Sequence, residues 1–126
     1  MVEICYNNEV GAVDPSIIPD NQMSASTKYN DSTQAAYGRL NDSRGDGWCA
    51  RDATGTNDWL QVDFNRTVQV CGVATQGDNG GALSAWVKSF QLSFSSDGSN
   101  WTTYAYADNE QVSFDEVQVI LCSLPP

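Results

Sequence analysis

The chain predicts an all-β fold built from antiparallel strands, a sandwich or a barrel, and three observations carry that prediction. Short alternations of apolar and polar residues recur, Gly-, Asn- and Asp-rich turn signals separate them, and no stretch of helical periodicity is interleaved. Trp59-Leu60-Gln61-Val62-Asp63-Phe64 alternates with period two and puts Leu60, Val62 and Phe64 on one face. Val68-Gln69-Val70-Cys71-Gly72-Val73 repeats the device after Asn65-Arg66-Thr67, which reads as a turn, so the two runs are expected to form a hairpin. Phe90-Gln91-Leu92-Ser93-Phe94 alternates again. Ser96-Asp97-Gly98-Ser99 then supplies a turn, with Gly98 able to take positive φ, before Trp101-Thr102-Thr103-Tyr104, which completes a second expected hairpin. Val117-Gln118-Val119-Ile120-Leu121 is a strand candidate in its own right.

A chain of 126 residues fits one domain, residues 1–126, and at that size buries enough surface for a single core. With 40% apolar residues, including four Trp, five Tyr and four Phe, it is no disordered acidic tail. Sixteen acidic side chains against six basic ones give a formal charge of -10. The basic residues Lys28, Arg39, Arg44, Arg51, Arg66 and Lys88 are scattered. Nucleic acid and anionic lipid headgroups attract concentrated Lys and Arg, so this balance argues against both as partners. Neutral sugars, basic peptides and cations remain compatible with it.

Cys5, Cys49, Cys71 and Cys122 show no C-x-x-C pair, and the chain has no His, which removes the usual zinc-ligand spacing. Four well-separated cysteines in a strand-rich chain fit two disulfides and an oxidising compartment. Cys49 with Cys71 is the preferred pair, because each lies beside a strand signal and the bridge would pin the intervening loop to the sheet. Cys5 with Cys122 is the remaining pair, and buried thiols are the competing reading. Asn30-Asp31-Ser32, Asn41-Asp42-Ser43, Asn65-Arg66-Thr67 and Asn100-Trp101-Thr102 each satisfy the N-x-S/T glycosylation triplet. Met1-Val2-Glu3-Ile4-Cys5 has neither the basic nor the long apolar region of a secretory leader. The chain is therefore expected to be a module of a larger secreted or cell-surface protein.

Ile18-Pro19-Asp20-Asn21-Gln22-Met23-Ser24-Ala25-Ser26, the Trp59–Phe64 block, Val73-Ala74-Thr75-Gln76-Gly77, Trp86-Val87-Lys88-Ser89-Phe90, Ser95-Ser96-Asp97-Gly98 and Trp101 follow one another in order. Together they resemble the discoidin domain family, also called the coagulation factor V/VIII type C domain. The resemblance covers residues 13–104. It implies a galactose-binding-like jelly-roll β-sandwich, an extracellular place, and a ligand site made of loops projecting at one end. Residues 105–126 depart from the family: the aromatic-Ile-Arg strand and the closing Cys beside Gly are absent. The sandwich is thus expected either to lack its last strands and keep an open edge, or to replace one of them with the Val117–Leu121 run.

Carried onto this sequence, the family's first projecting loop falls on Lys28–Ala36, the second on Asp78–Ala85, and a third lies between Trp48 and Trp59. Tyr29, Asn30, Asp31, Asp52, Asp78 and Asn79 supply an aromatic face, carboxylates and amides at that rim. Such an inventory suits hydroxyl-rich glycans, whose CH faces stack on rings and whose hydroxyls take paired hydrogen bonds. Asn, Asp and Gly are also what turns require, so each is equally readable as a solvated turn residue. Leu83 is the single large aliphatic at a tip, and burying one Leu yields only about 1.5–3 kcal/mol, so phospholipid insertion of the coagulation-factor kind is disfavoured. Trp48 and Trp59 are expected in the core.

Arg44-Gly45-Asp46 resembles the integrin-recognition tripeptide and offers a second reading, adhesion to a cell-surface protein. The competing view is an ordinary turn tied down by Trp48 and Cys49. Asp42-Ser43-Arg44-Gly45-Asp46-Gly47 opens like an EF-hand loop, but Arg44 occupies a ligand place and Ala53 stands where the closing Glu belongs. A structural Ca²⁺ held partly by loop carbonyls stays open; no other cofactor is expected. Without His there is no Ser-His-Asp or Cys-His arrangement, and no phosphate loop or G-x-S-x-G is present. A non-catalytic adhesion module that binds carbohydrate or an extracellular protein is the function expected.

Overall fold

Five strands make one antiparallel sheet: β1 Met23–Ala25, β2 Trp59–Val70, β3 Gln91–Ser95, β4 Thr102–Thr103 and β5 Val112–Ile120, in the order β1-β2-β5-β3-β4. The computed structural model describes residues 14–52, 57–70, 73, 75–77, 85–86, 90–104 and 112–120, the last of these and 68–70 by their backbone alone. Two short 3-10 turns, Asp20–Gln22 and Ala35–Gly38, are the helical elements among the described residues.

Period-two patterning sets the register. Met23 pairs with Val62, Val62 with Val117 and Val117 with Phe94, so one apolar row crosses four strands. Ala25, Leu60, Val119 and Leu92 form a second row two positions along. Ser24, Gln61, Gln118 and Ser93 line up between them as a polar row. A slip of one residue would exchange the rows, which is why the alternation specifies the pairing. On β3 the small residues go deepest: Ser93 and Ser95 are buried, whereas Leu92 and Phe94 are only half-buried.

The segment before β2 folds over the apolar rows. Ile18, Met23, Ala36, Cys49 and Ala50 are buried there, and an added Cβ on Gly38 would lie 3.1 Å from both Leu60 Cδ2 and Trp48 Cβ. Trp48 packs against Gly38 but is half-buried, short of the core position expected, and its indole N–H donates to the Thr27 carbonyl at 2.9 Å. Trp59 opens β2 and is half-buried.

The first expected hairpin does not form. Both halves of the Trp59–Val70 stretch pair with β5, Asp63 opposite Glu116 and Val68 opposite Phe114, so Phe64 to Thr67 face a single position, residue 115. The turn signal was real but local. Asn65 takes φ 54° and its N–H donates to Asp63 Oδ1 at 2.7 Å, which makes a bulge that lets the chain continue in the same direction. The second expected hairpin is present: Ser93 pairs with Thr103 and Phe94 with Thr102, with Gly98 at φ 71° in the turn.

Of the two alternatives expected for the C-terminal run, the strand that joins the sheet is the one found. β5 lies in the middle of the sheet, bonded to β2 on one side and β3 on the other, so it is a central strand and not an exposed edge.

Candidate ligand-binding site

Register places the ends of the sheet. Ala25 of β1 lies beside Leu60, Trp59 lies opposite Ile120, and Ile120 lies beside Gln91. The segment leaving β1 and the segment entering β2 therefore emerge at the same end, and these are the first and third loops expected from the sequence.

A ladder of polar contacts stitches the two loops together. Ser26 N–H donates to Trp59 O at 3.0 Å and Trp59 N–H returns to Ser26 Oγ at 2.9 Å. The hydroxyls of Ser26 and Thr27 both donate to Asp58 Oδ1, at 2.6 and 2.7 Å. Further out, Arg51 N–H donates to Thr27 Oγ1 at 3.1 Å and Tyr29 N–H to Cys49 O at 2.8 Å. Asp58 was not singled out in the sequence. Its signal was the facing Ser and Thr hydroxyls, which become legible only once the strands are paired.

Tyr29 sits at the end of this ladder with its side chain half exposed, at 49%. Next to it, Asn30 Oδ1 accepts from Ser32 N–H at 2.8 Å, and Thr33, fully buried at 0%, exchanges bonds with Asn30: Asn30 N–H to Thr33 Oγ1 at 3.0 Å and Thr33 Oγ1 to Asn30 O at 3.1 Å. A threonine turn thus fixes the loop from inside, a role the sequence reading missed. Asp31 is 94% exposed and pairs with Lys28 Nζ at 2.7 Å; that ammonium holds its carboxyl below the usual carboxylate range. Asp52 is exposed on the neighbouring loop. Asp78, Asn79 and Leu83, together with Cys5, Cys71 and Cys122, lie outside the described residues; Cys49 is buried. Among the described residues no group of three or more Cys, Asp or Glu is placed to hold a metal ion.

The Arg44-Gly45-Asp46 segment is built differently. Arg44 donates from Nε to both carboxylate oxygens of Asp42 at 3.1 and 3.0 Å, from Nη2 to Asp42 Oδ2 at 2.7 Å, and from Nη1 to Asp20 Oδ2 at 2.7 Å. Its guanidinium also lies over the Tyr37 ring, 5.3 Å from the centroid. The other side of Asp20 takes Arg39 Nη2 at 2.8 Å, and the Arg39 side chain is 1% exposed. Two guanidinium donors hold the Asp20 carboxyl down to about 2. A Cβ on Gly45 would overlap the Ser32 carbonyl and the Tyr37 ring, while Asp46 N–H donates to Ser32 O at 2.8 Å. The tripeptide is therefore packed against the first loop, with its cation clamped by two carboxylates.

A shallow depression lined by Phe94, Ser95, Ser96, Asp97, Asn100 and Thr102 lies at the far end of β3, away from the two stitched loops. Asp97 holds that turn together, accepting from the N–H groups of Ser99 and Asn100 at 2.9 and 2.8 Å, and these donors keep its carboxyl well below the usual range. Every donor there is a turn neighbour, so the carboxylate's work is local.

An antiparallel sheet with two loops stitched together at one end is the frame of an all-β domain, and the galactose-binding-like β-sandwich is the class of its fold neighbours. The F5/8 type C domain model matches residues 22–126, running past Tyr104 to the end of the chain, and the chain belongs to that family. It is 41% identical over 88 residues to human epithelial discoidin domain-containing receptor 1, covering 67% of this chain and 10% of the receptor. It is 35% identical over 102 residues to mouse lactadherin, covering 75% of this chain and 22% of that protein. The chain thus spans a quarter or less of the length of these relatives. Among solved structures it is similar to the family 32 CBM from C. perfringens NanJ in complex with galactose, with a TM-score of 0.58 and 14% identity over 82% of this chain and 84% of that one, a likeness of fold.

Proposed function

We propose that this chain is an extracellular, non-catalytic module of a larger multidomain protein and that it binds carbohydrate through the stitched loop end. Tyr29 offers the stacking face and Asn30, Asp31 and Asp52 the hydrogen-bonding rim; Asp78, Asn79 and Leu83, outside the described residues, are the further contacts that the family's second loop would supply. The observation that carries the proposal is Tyr29 itself: a half-exposed aromatic whose backbone is pinned to Cys49 at the seam of two loops, among amides and carboxylates. With the backbone already held and only two side-chain torsions to fix, such a residue gives up little conformational freedom when a sugar stacks on it. Family membership and the galactose complex of a fold neighbour support the same reading.

Two geometric facts disfavour the integrin-type reading: the Arg44 guanidinium is engaged by Asp20 and Asp42, and Gly45 is wedged against Ser32 and Tyr37. Phospholipid binding is disfavoured by the net charge of -10. The extracellular compartment is expected to pair Cys49 with Cys71 and Cys5 with Cys122.

The test is a glycan array probed with the oxidised, cooperatively melting chain, with and without Ca²⁺. Selective binding that disappears in Tyr29→Ala and Asn79→Ala is the expected result. Silence on every glycan, with cell attachment that Asp46→Glu abolishes, would replace the carbohydrate reading with the integrin one.

A further inference from the structure

Four Asn residues stand in N-x-S/T triplets, and the fold treats them differently. Asn30 uses its side-chain oxygen to accept from Ser32 N–H. Asn41, at φ 59°, uses its own to accept from Gln76 Nε2 at 3.2 Å, while its N–H donates to Gln76 Oε1 at 2.8 Å. Asn100 donates from Nδ2 to Asp97 Oδ2 at 2.7 Å. Among the described residues the side chain of Asn65, alone of the four, takes no hydrogen-bond partner; its backbone N–H donates to Asp63 Oδ1 at 2.7 Å.

The Asn65 triplet is exposed throughout, as the Asn30 triplet is, whereas Asp42 and Trp101 in the other two triplets are half-buried. Asn65, Arg66 and Thr67 are exposed together on the β2 bulge, where the ladder to β5 is interrupted between Asp63 and Val68. The left-handed backbone of Asn65 belongs to that bulge. Along β2 it lies six positions beyond Trp59, on the order of 15–20 Å from the stitched loops at the rise of a strand.

We infer that Asn65 is an N-glycosylation site and that the bulge presents the glycan to solvent without covering the loop end. In the transfer, Asn65 Nδ2 attacks the anomeric carbon of a lipid-diphosphate-linked oligosaccharide. The new N–C bond replaces the C–O bond to the diphosphate, which leaves with the electron pair, and the amide nitrogen gives up one proton. The other amide proton stays, and the backbone N–H bond of Asn65 to Asp63 Oδ1, in which the side-chain amide takes no part, is preserved. A glycan on Asn30 would instead stand beside Tyr29. The natural occurrence of the modification rests on the extracellular reading; its mapping does not depend on any ligand.

The test is to secrete the full chain from mammalian cells behind a leader. The glycans are then released with peptide N-glycosidase in heavy-oxygen water, which converts each glycosylated Asn to a labelled Asp, and the label is mapped by tandem mass spectrometry. Labelled Asp at position 65 in most secreted molecules is expected. Asn65→Gln and Thr67→Ala should each remove one glycan's mobility shift while Thr67→Ser keeps it, with the thermal melt still cooperative. Secreted, folded protein in which Asn65 is unlabelled would overturn the inference, whichever other Asn is modified.

Discussion

The loop around Tyr29 and the clamp around Arg44 are made from the same residue types, and the fold uses them in opposite ways. Both are rich in Asn, Asp and Ser, with Lys28 in the one and Arg39 and Arg44 in the other, and they touch, since Asp46 N–H donates to Ser32 O. In the clamp the charges face one another: Arg39 and Arg44 share Asp20, and Asp42, only 6% exposed at its side chain, closes on Arg44. At the rim the polar groups make short turn bonds and leave the Tyr29 ring and the Asp31 carboxylate facing water. What decides between scaffold and site is therefore who the partner is, and residue type alone does not say.

The comparison can be broken from the clamp side first. Gly45→Ala inserts a methyl against the Ser32 carbonyl and Tyr37 and should destabilise by about 1–3 kcal/mol, read from urea unfolding. A neutral result would mean that the tripeptide is not packed as described. Asp20→Asn removes the carboxylate that the buried Arg39 faces, for a loss of about 1–2 kcal/mol, reduced from the fully buried case because Asp20 keeps 47% of its side-chain exposure.

The same variant carries a pH signature. Asp20 titrates lower in the fold, at about 2, than in the unfolded chain, so its contribution is complete above the ordinary carboxylate range and fades as pH falls toward that value. The gap in Tm between wild type and Asp20→Asn should be widest near neutral pH and should close between pH 4 and pH 2. A gap that is independent of pH would contradict the ion pairs.

On the rim side the effects shrink. Asp58→Ala takes away the acceptor for Ser26 and Thr27 and should cost about 1 kcal/mol, while also weakening ligand binding because the two loops come unstitched. Lys28→Ala, which breaks an exposed pair, should leave the thermal melt where it is in wild type.

Much of the architecture was legible in the sequence. Period-two runs at Trp59–Phe64 and Phe90–Phe94 marked β2 and β3, and Val117–Leu121 marked β5, because alternation reports directly on a pleated face. The bulge at Asn65 misled the hairpin expectation, since a left-handed Asn with an Asp two residues before it reads the same whether the chain reverses or continues. Only the pairing partner, β5, separates the two cases, and it lies some fifty positions away in the chain. Tyr29, Asn30 and Asp31 lie on the loop leaving β1 and Asp52 on the loop entering β2, and that they meet a ligand is the proposal made above. Thr33 and Asp58 were missed because a hydroxyl's or carboxylate's structural role depends on neighbours brought in by folding. Arg44 was legible as a motif but not as a clamp, for its partner Asp20 is remote in sequence.

The central claim is that the rim around Tyr29 binds sugar while the neighbouring clamp only holds the loop in place. Its most direct test is calorimetric titration of the strongest array glycan into wild type, Tyr29→Ala and Arg44→Lys, each checked by thermal melt. Tyr29→Ala should lose at least about tenfold in affinity with its Tm unchanged, as expected when one aromatic anchor is removed, and Arg44→Lys should lower Tm while leaving affinity near wild type at a temperature where it is folded. Full affinity in a folded Tyr29→Ala would contradict the account.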